Sequence, residues 1–148
     1  MSSVRESIDI DMPVEKVFGY VTDPANWTRY VTSLTEVRDL SSPDVDKGTS
    51  FVWEYRMFGM KFGGRGVVEE FQKNRKFSMK MEGGMPIVES FEFDGADGGK
   101  TRMTFAIEYE IPNRVLSMVA NSSIVEGLNA KEVKSVLDKV KTLCEAQT

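Results

Sequence analysis

Histidine is absent from the 148 residues. That removes Ser-His-Asp and Cys-His nucleophilic systems, imidazole acid–base catalysis and His-ligated zinc. Any proton movement falls to carboxylates, tyrosine, lysine or oriented water. Among the carboxylates, Glu89 stands apart. If Phe91 and Phe93 face inward on a strand, period two puts Glu89 on the same face. A carboxylate in an apolar cavity has a raised pKa and can bond a ligand hydroxyl or move a proton. The alternative is a hydrated strand end at the cavity mouth. Glu89 is thus the one weak catalytic candidate. The acidic pairs Asp9/Asp11, Glu69/Glu70 and Glu108/Glu110 have no further ligands at fixed spacing and read as solvated surface, with no metal site. Gly63, Gly64 and Gly66 resemble a phosphate-cradling loop only superficially, because no helix start or P-loop lysine follows them.

The elements that position these groups follow from periodicity. Residues 4–12 alternate, with Val4, Ile8, Ile10 and Met12 on one side, and read as a strand with one wet face. Pro13 suits the first position of a helix whose apolar stripe is Val14, Val17, Phe18 and Val21. Asp23-Pro24 ends that helix and starts a short second one carrying Trp27 and Tyr30, with Asp23 as N-cap. From Ser33 to Ile111, turn signals at Ser41–Gly48, Phe58-Gly59, Lys73–Arg75, Gly83-Gly84 and Asp94–Gly99 bound about six strands of an antiparallel meander. The inward set is large and soft: Trp53, Tyr55, Met57, Met79, Met81, Phe91, Phe105 and Tyr109. Methionine adapts to variable shapes, so this lining suits a pocket for flexible apolar ligands, although the same residues would also make a plain packed core. Between residues 60 and 71 the apolar set moves from Met60 and Phe62 to Val67 and Phe71, which predicts a bulge near the glycines.

After Pro112, Asn113 can cap a helix reaching Glu145, whose clear half carries Val133, Val136, Leu137, Val140, Leu143 and Cys144. Met118, Ser122 and Val125 share a face of its first half. Ser122 can offer a hydroxyl to the cavity, although such serines more often bond back to their own helix. Asn121-Ser122-Ser123 and Gly127 weaken that half, and Asn129 with Glu132 resembles a second helix start, so a kink or split is expected there.

Length, charge and cysteine usage bound the rest. A chain of this size buries roughly 70% of its unfolded surface without staples. Residues 1–148 read as one domain, with no repeat or linker. Net charge is −4, pI is near 5.0, and the 19 basic residues are scattered, which disfavours nucleic acid. Cys144 is the lone cysteine, in keeping with a reducing compartment. Neither an apolar leader nor an 18-residue apolar run occurs, so no integral membrane association and a cytoplasmic setting are expected. No cofactor is called for, and the oligomeric state stays open.

The order strand, two short helices, six-stranded meander and long amphipathic helix is the helix-grip arrangement. The residues resemble the START-like (SRPBCC) superfamily, particularly its polyketide cyclase/dehydrase and lipid transport branch. The resemblance rests on Ile8–Trp27 (I-D-I-D-M-P-V-E-K-V-F-G-Y-V-T-D-P-A-N-W), Lys47-Gly48-Thr49, Val67–Lys73, the Gly98–Thr104 hairpin G-G-K-T-R-M-T and the closing L-C-E. It covers the whole chain, yet these motifs mark helix starts and turns and are specific to no reaction. It implies an α+β fold in which a curved antiparallel sheet of about seven strands grips the C-terminal helix around a deep cavity. In that fold the short helix with Trp27 and Tyr30 flanks the pocket entrance, where the rings could gate access or stack on a ligand; anchoring the helix to the sheet is the alternative, stronger for Trp27. The expected ligand set is Trp27, Tyr30, Trp53, Tyr55, Met57, Met79, Met81, Glu89, Phe91, Phe105, Tyr109, Met118 and Ser122. The function expected first is non-catalytic binding or transport of a hydrophobic small molecule such as a lipid, polyketide-like aromatic or isoprenoid. A cyclase/dehydrase using Glu89, and a quinone-binding or protein-interaction module, are the alternatives.

Overall fold

Alternating apolar and polar residues build one sheet, and its concave side is closed by a helix. The computed structural model describes residues 2–57, 59–96, 99–117 and 122–147, and for Ala96, Arg114 and Ser122 the backbone only. The strands are β1 (Ser2–Ile10), β2 (Leu34–Arg38), β3 (Ser50–Met57), β4 (Met60–Gln72), β5 (Lys76–Gly83), β6 (Ile87–Ala96) and β7 (Lys100–Tyr109). The helices are α1 (Val14–Thr22), α2 (Pro24–Tyr30), α3 (Asn113–Leu116) and α4 (Ser122–Glu145). All neighbouring strands are antiparallel in the order β1-β7-β6-β5-β4-β3-β2. The meander therefore runs from β2 to β7, and β1 closes onto its far end.

The period-two reading holds on the four strands that matter most for the interior. Phe51, Trp53, Tyr55 and Met57 of β3, Phe77, Met79 and Met81 of β5, Ile87, Glu89, Phe91 and Phe93 of β6, and Met103, Phe105, Ile107 and Tyr109 of β7 are all buried. Strand β4 departs from expectation. Its inward positions stay even-numbered through Phe62, Gly66 and Val68, and the register shift against β5 falls between Val68 and Glu70, beyond the glycines. The glycines serve close approach instead. A side chain at Gly66 would overlap the Phe51 ring, and one at Gly64 would strike the backbone carbonyl of Glu82 on β5.

Helix α4 lies against the concave face with Val125, Val133, Val136, Leu137, Val140 and Cys144 buried. It runs unbroken through Gly127 and Asn129, where a kink or split was expected, while α3 ends at Leu116 with Ser117 as its C-cap. Its C-terminal end is tied to the start of the fold. Glu145 Oε2 accepts from the Asp11 amide at 2.8 Å, and Lys141 Nζ donates to Glu145 at 2.6 Å and to the Asp9 carbonyl at 2.9 Å. Pro13 is the N-cap of α1 and not its first helical residue, and Pro112, not Asn113, is the N-cap of α3.

The side chains of α2 cap the end of α1. Asn26 Nδ2 donates to the Tyr20 carbonyl, while Trp27 Nε1 (3.0 Å) and the Tyr30 hydroxyl (2.8 Å) both donate to the Val21 carbonyl. These bonds satisfy acceptors that a helix C-terminus otherwise leaves open. Asp23 caps α2 as expected, accepting from the Ala25 amide at 3.0 Å.

Two alanine substitutions separate close approach from mere conformational freedom. Gly64→Ala should lose about 1–3 kcal/mol in urea denaturation, because a backbone carbonyl must move. Gly127→Ala, whose new methyl would meet nothing within 4 Å inside α4, should gain about 0.5–1 kcal/mol.

Candidate functional site

Register sorts the inward residues into rows. Phe77, Phe91 and Phe105 pair across β5, β6 and β7, and the Phe91–Phe105 rings stack at 4.4 Å. Trp27 joins this row, with ring centroids 5.1 Å from Phe51 and 6.0 Å from Phe77, and Tyr30 packs edge-on to Phe91 at 5.9 Å. Phe91, Phe105, Trp27 and Tyr30 thus belong to a packed aromatic core. Both α2 rings are about 1% exposed and their polar atoms are engaged by Val21. This corrects the expectation of rings at an entrance with free polar handles: capping α1 uses those handles.

The next rows are softer and contain the carboxylate. Met79, Glu89 and Ile107 pair across the three strands, followed by Met81, Ile87 and Tyr109. Glu89 is 4% exposed, so it is an interior acid and not a hydrated strand end. Burial, reinforced by the charge of Glu132 on α4, raises its pKa from 4.5 to about 8. At neutral pH it carries its proton and can donate a hydrogen bond.

Glu132 brings α4 into the same site. Its Oε2 accepts from Ser33 Oγ at 3.0 Å, while Oε1 is buried without a well-formed hydrogen bond. One turn earlier on the same face, Asn129 is 2% exposed and its Nδ2 also lacks a partner among the described residues. From β3, Trp53 Nε1 is in the same condition. Tyr55 links these groups. Its ring centroid lies 6.4 Å from that of Trp53, and its hydroxyl lies beside Ser33 and Glu132. Burial, then the charges of Glu132 and Glu89, hold its pKa well above the usual tyrosine value. Tyr30 is raised likewise by burial and then by Glu89. A fourth buried atom without a partner, the Tyr20 hydroxyl, lies one ring away, its ring 6.3 Å from that of Tyr30.

Trp53, Tyr55, Met57, Met79, Met81, Glu89 and Tyr109 therefore lie in the half of the interior beyond the aromatic row. Met118 and the side chain of Ser122 fall outside the described residues. Sequence reasoning missed Asn129, Glu132 and Ser33. The signal was present for Asn129, which sits four residues after Val125 and four before Val133, a polar residue inside an apolar stripe.

The family model for polyketide cyclase / dehydrase and lipid transport matches residues 1–145. The chain belongs to this family. Its cyclase/dehydrase and lipid-transport fold is shared with solved structures. TTHA0849 from Thermus thermophilus superposes with a TM-score of 0.81 at 18% identity, covering 99% of each chain. The Zhui aromatase/cyclase from Streptomyces sp. R1128 gives 0.78 at 10% identity, over 97% of this chain and 93% of that one. A START superfamily protein from Mycobacterium smegmatis gives 0.76 at 11%, over 99% of both. Curated protein sequences yield no match. At these identities the likeness shows the START-like fold alone. Among the described residues, no helix of this family member is long and apolar enough to cross a membrane.

The buried acid makes stability depend on pH. Glu89 is protonated more readily folded than unfolded, so its contribution is complete below about pH 4.5 and is lost as pH rises through about 8. Between those values it should lower stability by up to about 1.4 kcal/mol per pH unit. Glu89→Gln should flatten that slope in urea titrations, and Glu132→Gln should move it to lower pH by removing the neighbouring charge.

Proposed function

We propose that this protein binds or carries a hydrophobic small molecule, such as a lipid, a polyketide-like aromatic or an isoprenoid, between the concave face of the sheet and α4. The observation that carries this reading is the set of buried polar atoms that, among the described residues, make no well-formed hydrogen bond in an apolar interior: Trp53 Nε1, Asn129 Nδ2 and Glu132 Oε1. Each unpaired buried group costs about 1–3 kcal/mol, and a core selected only for stability would not keep several together. A ligand with a polar end would satisfy them, while the methionines of β3 and β5 would adapt to its apolar body. The ligand contacts follow as Trp53, Tyr55, Met57, Met79, Met81, Glu89 and Tyr109, joined by Asn129 and Glu132. Family membership supports the ligand class, and a cytoplasmic setting belongs to the same proposal.

One observation favours a catalytic reading beside the carrier. A carboxyl group with a pKa of about 8, interacting electrostatically with two tyrosine hydroxyls, can hold and release a proton near neutral pH. Cyclisation or dehydration of a polyketide-like chain would use that property. An interaction module finds less support. Among the described residues, Ile124 and Leu128 are exposed on one face of α4, with Leu40 and Leu116 elsewhere, and two neighbouring side chains do not make an extended apolar patch.

Native mass spectrometry after gentle extraction should show an adduct of lipophile mass. A panel of apolar ligands should raise Tm by ~5–10 °C at a hundredfold excess over Kd, equivalent to ~2.7 kcal/mol. No adduct and no shift across the panel would end the carrier reading. Turnover of a poly-β-ketone that Glu89→Gln abolishes, followed by product mass, would move the protein to the catalytic class.

A further inference from the structure

We infer that the site selects lipophiles whose polar end is an uncharged hydroxyl or carbonyl, and rejects those ending in an anion such as a fatty-acid carboxylate. The inference rests on the ligand-binding reading and narrows the ligand class. Its basis is the sign and hydrogen-bonding type of the groups turned inward.

Two open atoms are donors. Trp53 Nε1 has no acceptor capacity, and Asn129 Nδ2 supplies N–H groups from α4. The third, Glu132 Oε1, is an acceptor whose companion oxygen already holds Ser33. Glu89 adds a second buried carboxyl group, paired in register between Met79 and Ile107 and acted on by the charge of Glu132. A ligand oxygen bearing hydrogen can accept from the indole or amide and donate to Glu132. A carbonyl oxygen can accept from those donors and from protonated Glu89.

Among the described residues, no buried counter-charge is available for an anion: the buried polar and charged ones are Thr22, Asn26, Thr49, Ser78, Glu89, Thr101 and Asn129, with no lysine or arginine among them. A carboxylate or phosphate head would lose its hydration, find no buried cation among the described residues and face the negative charge of Glu132, which also acts on Glu89. An ammonium head would find the acids, but the indole and amide N–H groups would then point at a positive charge and stay unpaired. The neutral oxygen is the one head group that suits donors and acids together.

The test is a head-group series on constant apolar bodies, titrated calorimetrically into the full chain at pH 7. One series is decanol, decanoate, decylammonium and decane; the other is 2-naphthol, 2-naphthoate, 2-naphthylmethylammonium and naphthalene. The neutral alcohol or phenol should bind about tenfold or more tighter than its carboxylate and its hydrocarbon, because a site built to hydrogen-bond a hydroxyl discriminates strongly against analogues that leave its groups unpaired. Carboxylate binding that equals or exceeds alcohol binding overturns the inference while leaving the carrier reading intact, and so does tightest binding by the ammonium. Silence from every member of both series removes the carrier reading and this inference together. Glu132→Gln, isosteric and checked for folding by circular dichroism, should narrow the alcohol-to-carboxylate ratio about tenfold; an unaltered ratio excludes charge at Glu132 as the source of selection. Tryptophan emission gives an independent readout. Trp27 is already bonded to Val21, so a hydroxyl-dependent spectral change must come from Trp53.

Discussion

A sheet coiled into a concave surface exposes its largest side chains on the inside of the curve, and something must lie along that hollow to keep water out. Here α4 is that cover, and much else in the chain serves to seat it. The pairing of β1 with β7 brings Asp9 and Asp11 beside the last turns of the helix, where Lys141 and Glu145 clamp them. Close backbone approach at Gly64, and the ring of Phe51 lying over Gly66, accompany the tight joining of β4 to its neighbours. Without the cover, the aromatic and methionine rows would be solvent-facing and the sheet would have an apolar face to aggregate through.

The same cover creates a tension. One part of the interior is solved as a core: the phenylalanine row stacks and the α2 rings plug into it, with polar atoms spent on the end of α1. The other part is left chemically incomplete, with indole, amide and carboxyl groups facing apolar neighbours. A protein under selection for stability alone would replace such groups with hydrocarbon at little cost or with gain. They lie on β3 and α4, with the Tyr55 hydroxyl of β3 beside Glu132 of α4, and under the proposed function this is where stability is traded for recognition.

Much of this was legible in the residues, for a physical reason. Period two is enforced by the pleat, so the inward faces of β3, β5, β6 and β7, and Glu89 with them, followed from alternation alone. Period 3.6 placed Val133, Val136 and Val140 just as directly. The bulge in β4 was misplaced because glycine carries no side chain to show which face it occupies; its even-numbered phase continued silently through Gly64 and Gly66. Asn129 and Glu132 were read as a helix start because they match its local hydrogen-bonding pattern; the apolar stripe on either side of Asn129 marked it as inward, whereas only tertiary packing shows this for Glu132. For Trp27 and Tyr30 the sequence left an entrance role and an anchoring role open, because no local pattern reveals that Val21 would accept from both.

The lone cysteine gives the molecule an unplanned clock. Cys144 is buried in the last turns of α4, and burial, then the neighbouring Glu145, pushes its pKa up to about 12. In the folded state the thiol is therefore neither accessible nor ionised, and alkylating reagents and oxidants have nothing to attack. Modification at this position reads how often the end of α4 lifts from the sheet. If the proposed ligand occupies the grip, it would slow that lifting, and occupancy would be measurable as a chemical half-life, in crude extracts and without knowing what the ligand is.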